Sequence, residues 1–80
     1  MNNYSIWAQI RMVTSEEYEV DVRAIPLNGG VLPEPGDHQR DRCTVFAEAT
    51  RIRDELVKRV SKRVEDRGGK ILSVDSTLAT

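Results

Sequence analysis

Tyr4-Ser5-Ile6-Trp7-Ala8-Gln9-Ile10-Arg11-Met12 decides the fold, because apolar and polar residues alternate through it one by one. Tyr4, Ile6, Ala8, Ile10 and Met12 fall on one side and Ser5, Trp7, Gln9 and Arg11 on the other, the period of a half-buried strand. Residues 17–25 repeat the pattern. Tyr18, Val20, Val22 and Ala24 point one way; Glu17, Glu19, Asp21 and Arg23 point the other. Thr14-Ser15-Glu16 between them is short and polar, so the two strands form a hairpin. Its geometry sets Arg11 near Glu19 or Asp21, and Trp7 near Arg23 or Ile25.

Pro26 ends the second strand. Residues 27–43, with Asn28-Gly29-Gly30 and Pro33-Glu34-Pro35-Gly36-Asp37, are dense in turn formers and read as a long irregular loop. A helix then runs from near Thr44, its expected N-cap with Asp41 as competitor, to about Arg67, where Gly68-Gly69 closes it. Val45, Phe46, Ala49, Ile52, Leu56, Val57, Val60 and Val64 fall within an arc of about 140°, wide enough to cover a sheet and leave a shoulder free. Asp54–Lys58, Glu55–Arg59 and Lys62–Asp66 are spaced for ion pairs one helical turn apart. Residues 70–75 form a third strand, and 76–80 read as a frayed tail.

The expected fold class is α+β, with order β-β-α-β and one long helix on one face of the sheet. A right-handed crossover from the second strand sets the third beside the first and parallel to the second. The sheet is then three-stranded and antiparallel, in order 2-1-3. Its uncovered face carries Ser5, Trp7, Gln9, Arg11, Glu19, Asp21 and Arg23, and two edges stay open to strand addition.

Eighty residues with a net charge of −1 read as a single domain, 1–80, with no global field toward nucleic acid or anionic lipid. A domain this small buries about 60–65% of its unfolded surface, so self-association is an expected source of stability. The first 36 residues are net −3 and the remainder net +2, which fits two halves that pair with one another. No signal-peptide or membrane-spanning pattern is present, and the expected location is cytoplasmic. Cys43 is the one cysteine and His38 the one histidine. That is too few soft ligands for structural zinc, and no cofactor is expected.

Three surfaces stand out. Trp7, Arg11 and Arg23 mark a protein-binding face, tryptophan and arginine being enriched at interface hot spots; equally, Trp7 can simply pack over its cross-strand neighbour. Arg51, Lys58 and Lys62 share one side of the helix, as a nucleic-acid contact requires, although Glu48, Glu55 and Asp66 flank them. Cys43 and His38 are the residues a thiol nucleophile would use, but no third group orients them, so no catalytic site is expected. Arg53, inside the apolar arc, either snorkels past the sheet or pairs across a subunit interface. The expected function is a non-catalytic interaction module acting as a homodimer, with nucleic-acid binding as the alternative.

The hairpin, the strand ending in Ile25-Pro26, and Thr44 opening a helix with Glu48-Ala49 together resemble small HicB-type antitoxin domains. The chain lacks the glycine-rich segment those domains carry before the helix, and its Thr-to-Glu spacing differs by one. The resemblance implies a toxin-binding role.

Overall fold

The computed structural model describes residues 2–79, and the side chains of 2–76. The elements are β1 (Asn3–Thr14), β2 (Glu17–Pro26), a 3-10 turn (Pro35–Asp37), β3 (His38–Cys43), α1 (Phe46–Asp66) and β4 (Lys70–Ala79). They build a four-stranded sheet in the order β3-β2-β1-β4, with α1 packed on one face.

The hairpin forms as its alternation requires. Trp7 stands opposite Arg23 and Arg11 opposite Glu19, with a register slip between Met12 and Thr14. Tyr4, Ile6, Ala8 and Ile10 of β1 and Val20, Val22 and Ala24 of β2 turn inward and are buried under α1. The helix answers with Ala49, Ile52, Leu56, Val60 and Val64, a stripe at three- and four-residue spacing. Burying each valine, leucine or isoleucine contributes about 1.5–3 kcal/mol and each alanine less, which makes this seam the main source of stability.

The sheet differs from the expected one in two linked ways. Residues 38–43 are not loop but β3, paired antiparallel to β2 from Arg23–His38 to Tyr18–Cys43. This strand adds one more reversal before the helix. The crossover therefore leaves β3 and not β2, and β4 returns parallel to β3, hence parallel to its neighbour β1. The sheet is mixed, and the three-stranded antiparallel order 2-1-3 is superseded by 3-2-1-4. Residues 76–79 do not fray; they continue β4 alongside Ala8 to Arg11. Thr80 lies outside the described residues.

The helix ends also need correction. Val45 is the N-cap, with no side-chain hydrogen bond, so neither Thr44 nor Asp41 caps the helix. Asp41 is held in β3, and Val45 and Phe46 are exposed, which narrows the apolar stripe. At the other end Gly68 has φ +84, its N–H reaches the Glu65 carbonyl at 3.0 Å, and the Gly69 N–H reaches Val64 at 2.9 Å. This is a Schellman closure, and it turns the chain straight into β4.

The irregular stretch is tied to β1 at Leu27 and Asn28, drops Val31 onto the core, and is clasped most heavily at Asp37. Asp37 is 1% exposed; Arg67 donates to its two oxygens at 2.9 and 2.6 Å, and the Glu34 amide donates at 3.0 Å. Burial alone would raise the pKa of this carboxyl. The Arg67 and Glu34 hydrogen bonds and the charges of Arg67 and Arg63 outweigh it, leaving Asp37 below its ordinary value. Arg67 also lies 5.0 Å over the Tyr4 ring and 2.8 Å from Glu34. One guanidinium thus joins the loop, the helix terminus and β1.

Candidate functional site

Because β3 is a strand, it delivers three side chains to the outer sheet face. His38, Arg40 and Arg42 stand opposite Arg23, Asp21 and Glu19 of β2, which in turn stand opposite Trp7, Gln9 and Arg11 of β1. Along β2 the acids recur every second residue at 17, 19 and 21; along β3 the bases recur at 38, 40 and 42. Sheet pairing sets Arg40 against Asp21 and Arg42 against Glu19, while His38 stands opposite Arg23.

Glu19 takes Arg11 at 2.9 Å and Arg42 at 3.3 Å, and Arg42 also reaches Glu17 at 2.9 Å. Asp21 takes His38 at 2.7 Å, Arg23 at 3.3 Å and Arg40 at 3.4 Å. The charges nearly balance, but their exposure does not. Glu19 and Asp21 side chains are 10% and 12% exposed, against 54, 39, 59 and 61% for Arg11, Arg23, Arg40 and Arg42. The carboxylates form a floor and the guanidiniums a lid over it. Each arginine carries five N–H donors and spends only some of them on the floor. The face therefore offers solvent an array of donors.

Trp7 sits half-buried in this array, with the Arg23 guanidinium 5.0 Å from its ring centroid. The structure thus brings Trp7 and Arg23 together. Arg11 shares the face but stands four residues along β1, about 13 Å away, and is committed to Glu19. His38, Arg40 and Arg42 belong to the same surface and were not expected there. Their signal in the sequence was the basic period of two that mirrors the acidic period of β2.

The other sequence-derived sites fare differently. Arg51 is bound by both Glu48 and Glu55, which raises its pKa and uses its charge internally. Lys58 and Lys62 are exposed and make no ion pair among the described residues, so only two of the three helix cations stay available. The anticipated pairs with Asp54, Glu55 and Asp66 do not close. Arg53 takes Asp54 at 3.3 Å, Arg51 takes Glu55, and Arg59 reaches across to Gln39 of β3 at 3.3 Å. His38 and Cys43 lie at opposite ends of β3 and, five residues apart, on opposite faces, so the thiol–imidazole pair is not assembled.

Among the described residues no three His, Cys, Asp or Glu side chains gather as a metal site, and no helix is long and apolar enough to cross a membrane. A concavity of about 340 Å³ is lined by Tyr4, Leu32, Glu34 and Arg67. Its cation is already engaged by Asp37 and Glu34. A second groove of about 340 Å³ runs between α1 and β4, bordered by Arg53, Asp54, Val57, Lys58, Val74 and Ser76.

No family model, curated protein or solved structure matches this chain.

Proposed function

We propose that this chain is a non-catalytic protein-interaction module that binds an acidic segment of a partner on its outer sheet face, and that it self-associates. The observation that supports this is the difference in exposure between the Glu19–Asp21 floor and the arginines above it, beside a half-buried tryptophan. Carboxylates of a partner would meet unspent N–H donors in fixed planar forks, and Trp7 would supply the apolar anchor. The module works in the cytoplasm on this reading. A nucleic-acid role along Arg51, Lys58 and Lys62 has less behind it, since Arg51 is already held by two glutamates.

The test is affinity capture from the native cell with three baits: the unaltered chain, Trp7→Ala, and Arg40→Glu with Arg42→Glu. A partner retained by the first and released by both others supports the reading. Identical capture by all three removes it. Trp7 is the one tryptophan, so its fluorescence then gives the affinity of the purified pair directly. Binding through the arginines weakens as salt rises.

A further inference from the structure

We propose that the free edge of β4, with the uncovered stretch of its inner face, joins two copies of this chain by antiparallel β4–β4 pairing into one eight-stranded sheet. This deepens the self-association part of the reading above, rests on it, and names its interface.

The two edges of the sheet are not equivalent. The β3 edge reads His38-Gln39-Arg40-Asp41-Arg42-Cys43, four ionisable groups in the first five residues, a charged border of the kind that deters strand addition. β4, ten residues long, carries two charges, Lys70 at its first position and Asp75.

The inner face of β4 is also short of cover. Four strands at a spacing of about 4.8 Å span roughly 14 Å between outer axes, more than one helix about 10–12 Å wide can shield. The helix is displaced toward β3: Arg59 reaches Gln39, and Arg63 lies over Gly36 and 4.0 Å from Asp37. Ile71 at the start of β4 still packs on the core, but Val74 farther along is 52% exposed beside half-buried Val57. Arg53, Asp54 and Lys58 line the same groove. With both charge signs on one wall, a two-fold axis can set acid against base, as a self-complementary interface requires.

The register follows from charge. After the irregularity near Leu72, residues 73–79 run evenly beside β1. A two-fold axis at Ser76, the middle of that run, sets Val74 opposite Leu78 and Asp75 opposite Thr77. An axis at Asp75 would oppose two carboxylates, which is destabilising. The contact is small. The seven paired residues, 73–79, at about 3.3 Å each give a run about 23 Å long, and the molecule is 20 Å deep. Each copy then offers at most about 460 Å², roughly 920 Å² for the pair, the size of a weak, reversible interface.

Sedimentation equilibrium on the full chain, up to millimolar concentration, tests self-association. The expected result is a dimer that Val74→Glu weakens at least tenfold. Val74 is half in solvent already, so this variant keeps its fold, as far-ultraviolet circular dichroism would verify. The position of the interface is tested separately by Ser76→Cys in a Cys43→Ser background. Antiparallel partners stand about 4.5–5.5 Å apart at Cα, inside the disulfide range. Ser76→Cys should oxidise to a covalent dimer much faster than Asp41→Cys on the β3 edge. A dimer that survives Val74→Glu, with Ser76→Cys no faster than Asp41→Cys, overturns this interface and leaves self-association standing. A chain monomeric at millimolar concentration overturns both.

Discussion

Replacing Arg67 with alanine strips Asp37, 1% exposed in the native fold, of both its charged hydrogen bonds. What remains is the Glu34 amide at 3.0 Å and the Arg63 guanidinium at 4.0 Å. Removing one partner of a buried ion pair costs about 3–5 kcal/mol, because the other charge stays desolvated. The amide and Arg63 place this case at the lower end, about 3 kcal/mol. A domain of 80 residues has a total stability of about 4–12 kcal/mol at roughly 0.05–0.15 kcal/mol per residue. The substitution therefore removes a large share of it and lowers the melting temperature by about 12–24 °C. Urea denaturation of wild type, Asp37→Ala, Arg67→Ala and the double variant completes the cycle. The double variant should cost about 2 kcal/mol less than the sum of the singles, because neither charge is then stranded. Additivity within about 0.5 kcal/mol would refute the clasp, as would a cost for Arg67→Ala below about 1 kcal/mol, the level of a surface pair.

The same carboxylate sets an acid dependence. The folded pKa of Asp37 lies below its ordinary 3.8, so its contribution is complete above that value and is lost as pH falls through the lowered one. The gap in urea midpoint between wild type and Asp37→Asn should stay constant from pH 7 to about 5 and close below that; a gap that widens on acidification contradicts this assignment. At the helix terminus Gly68→Ala should cost about 1 kcal/mol, since φ +84 admits a side chain only under strain. Equilibrium unfolding with an unchanged m-value would verify it. In the core, Leu56→Ala should cost about 2–5 kcal/mol, whereas Phe46→Ala at the exposed first turn should cost far less. Parallel thermal melts decide between equal and unequal losses.

The hairpin was legible because one physical signal, hydrophobic alternation, carries it; its short turn narrowed the pairing to two registers, of which the structure adopts Trp7 with Arg23 and Arg11 with Glu19. The helix was legible for the same reason, apart from its first turn, where Val45 and Phe46 count as apolar but stay largely exposed, Phe46 meeting only the rim of the sheet at Tyr18. Strand β3 was not. Its residues bury little, so hydrophobic periodicity is silent there, and its pairing rests on charge matched across strands. Missing that one strand reversed the expected direction of β4. It also hid half of the outer face, since His38, Arg40 and Arg42 were counted as loop. Asp37 was hidden for a different reason: its partner lies thirty residues away, and nothing local distinguishes a clasped aspartate from a turn aspartate.

Strand β1 sits between β2 and β4, and these two partners reach it at very different times. Its hairpin mate lies within a few residues, while Asn3 waits for Lys70 and Arg11 for Ala79. During synthesis β1 is made well before β4, so the backbone groups on its β4 side have no partner until residues 70–79 have appeared. Until then β1 is itself an edge strand, rich in Ile and open to pairing with other chains. The parallel β1–β4 pairing closes the longest loop in the fold and should be its slow step. A chain stalled before residue 70 would expose the strand that the finished sheet keeps at its centre.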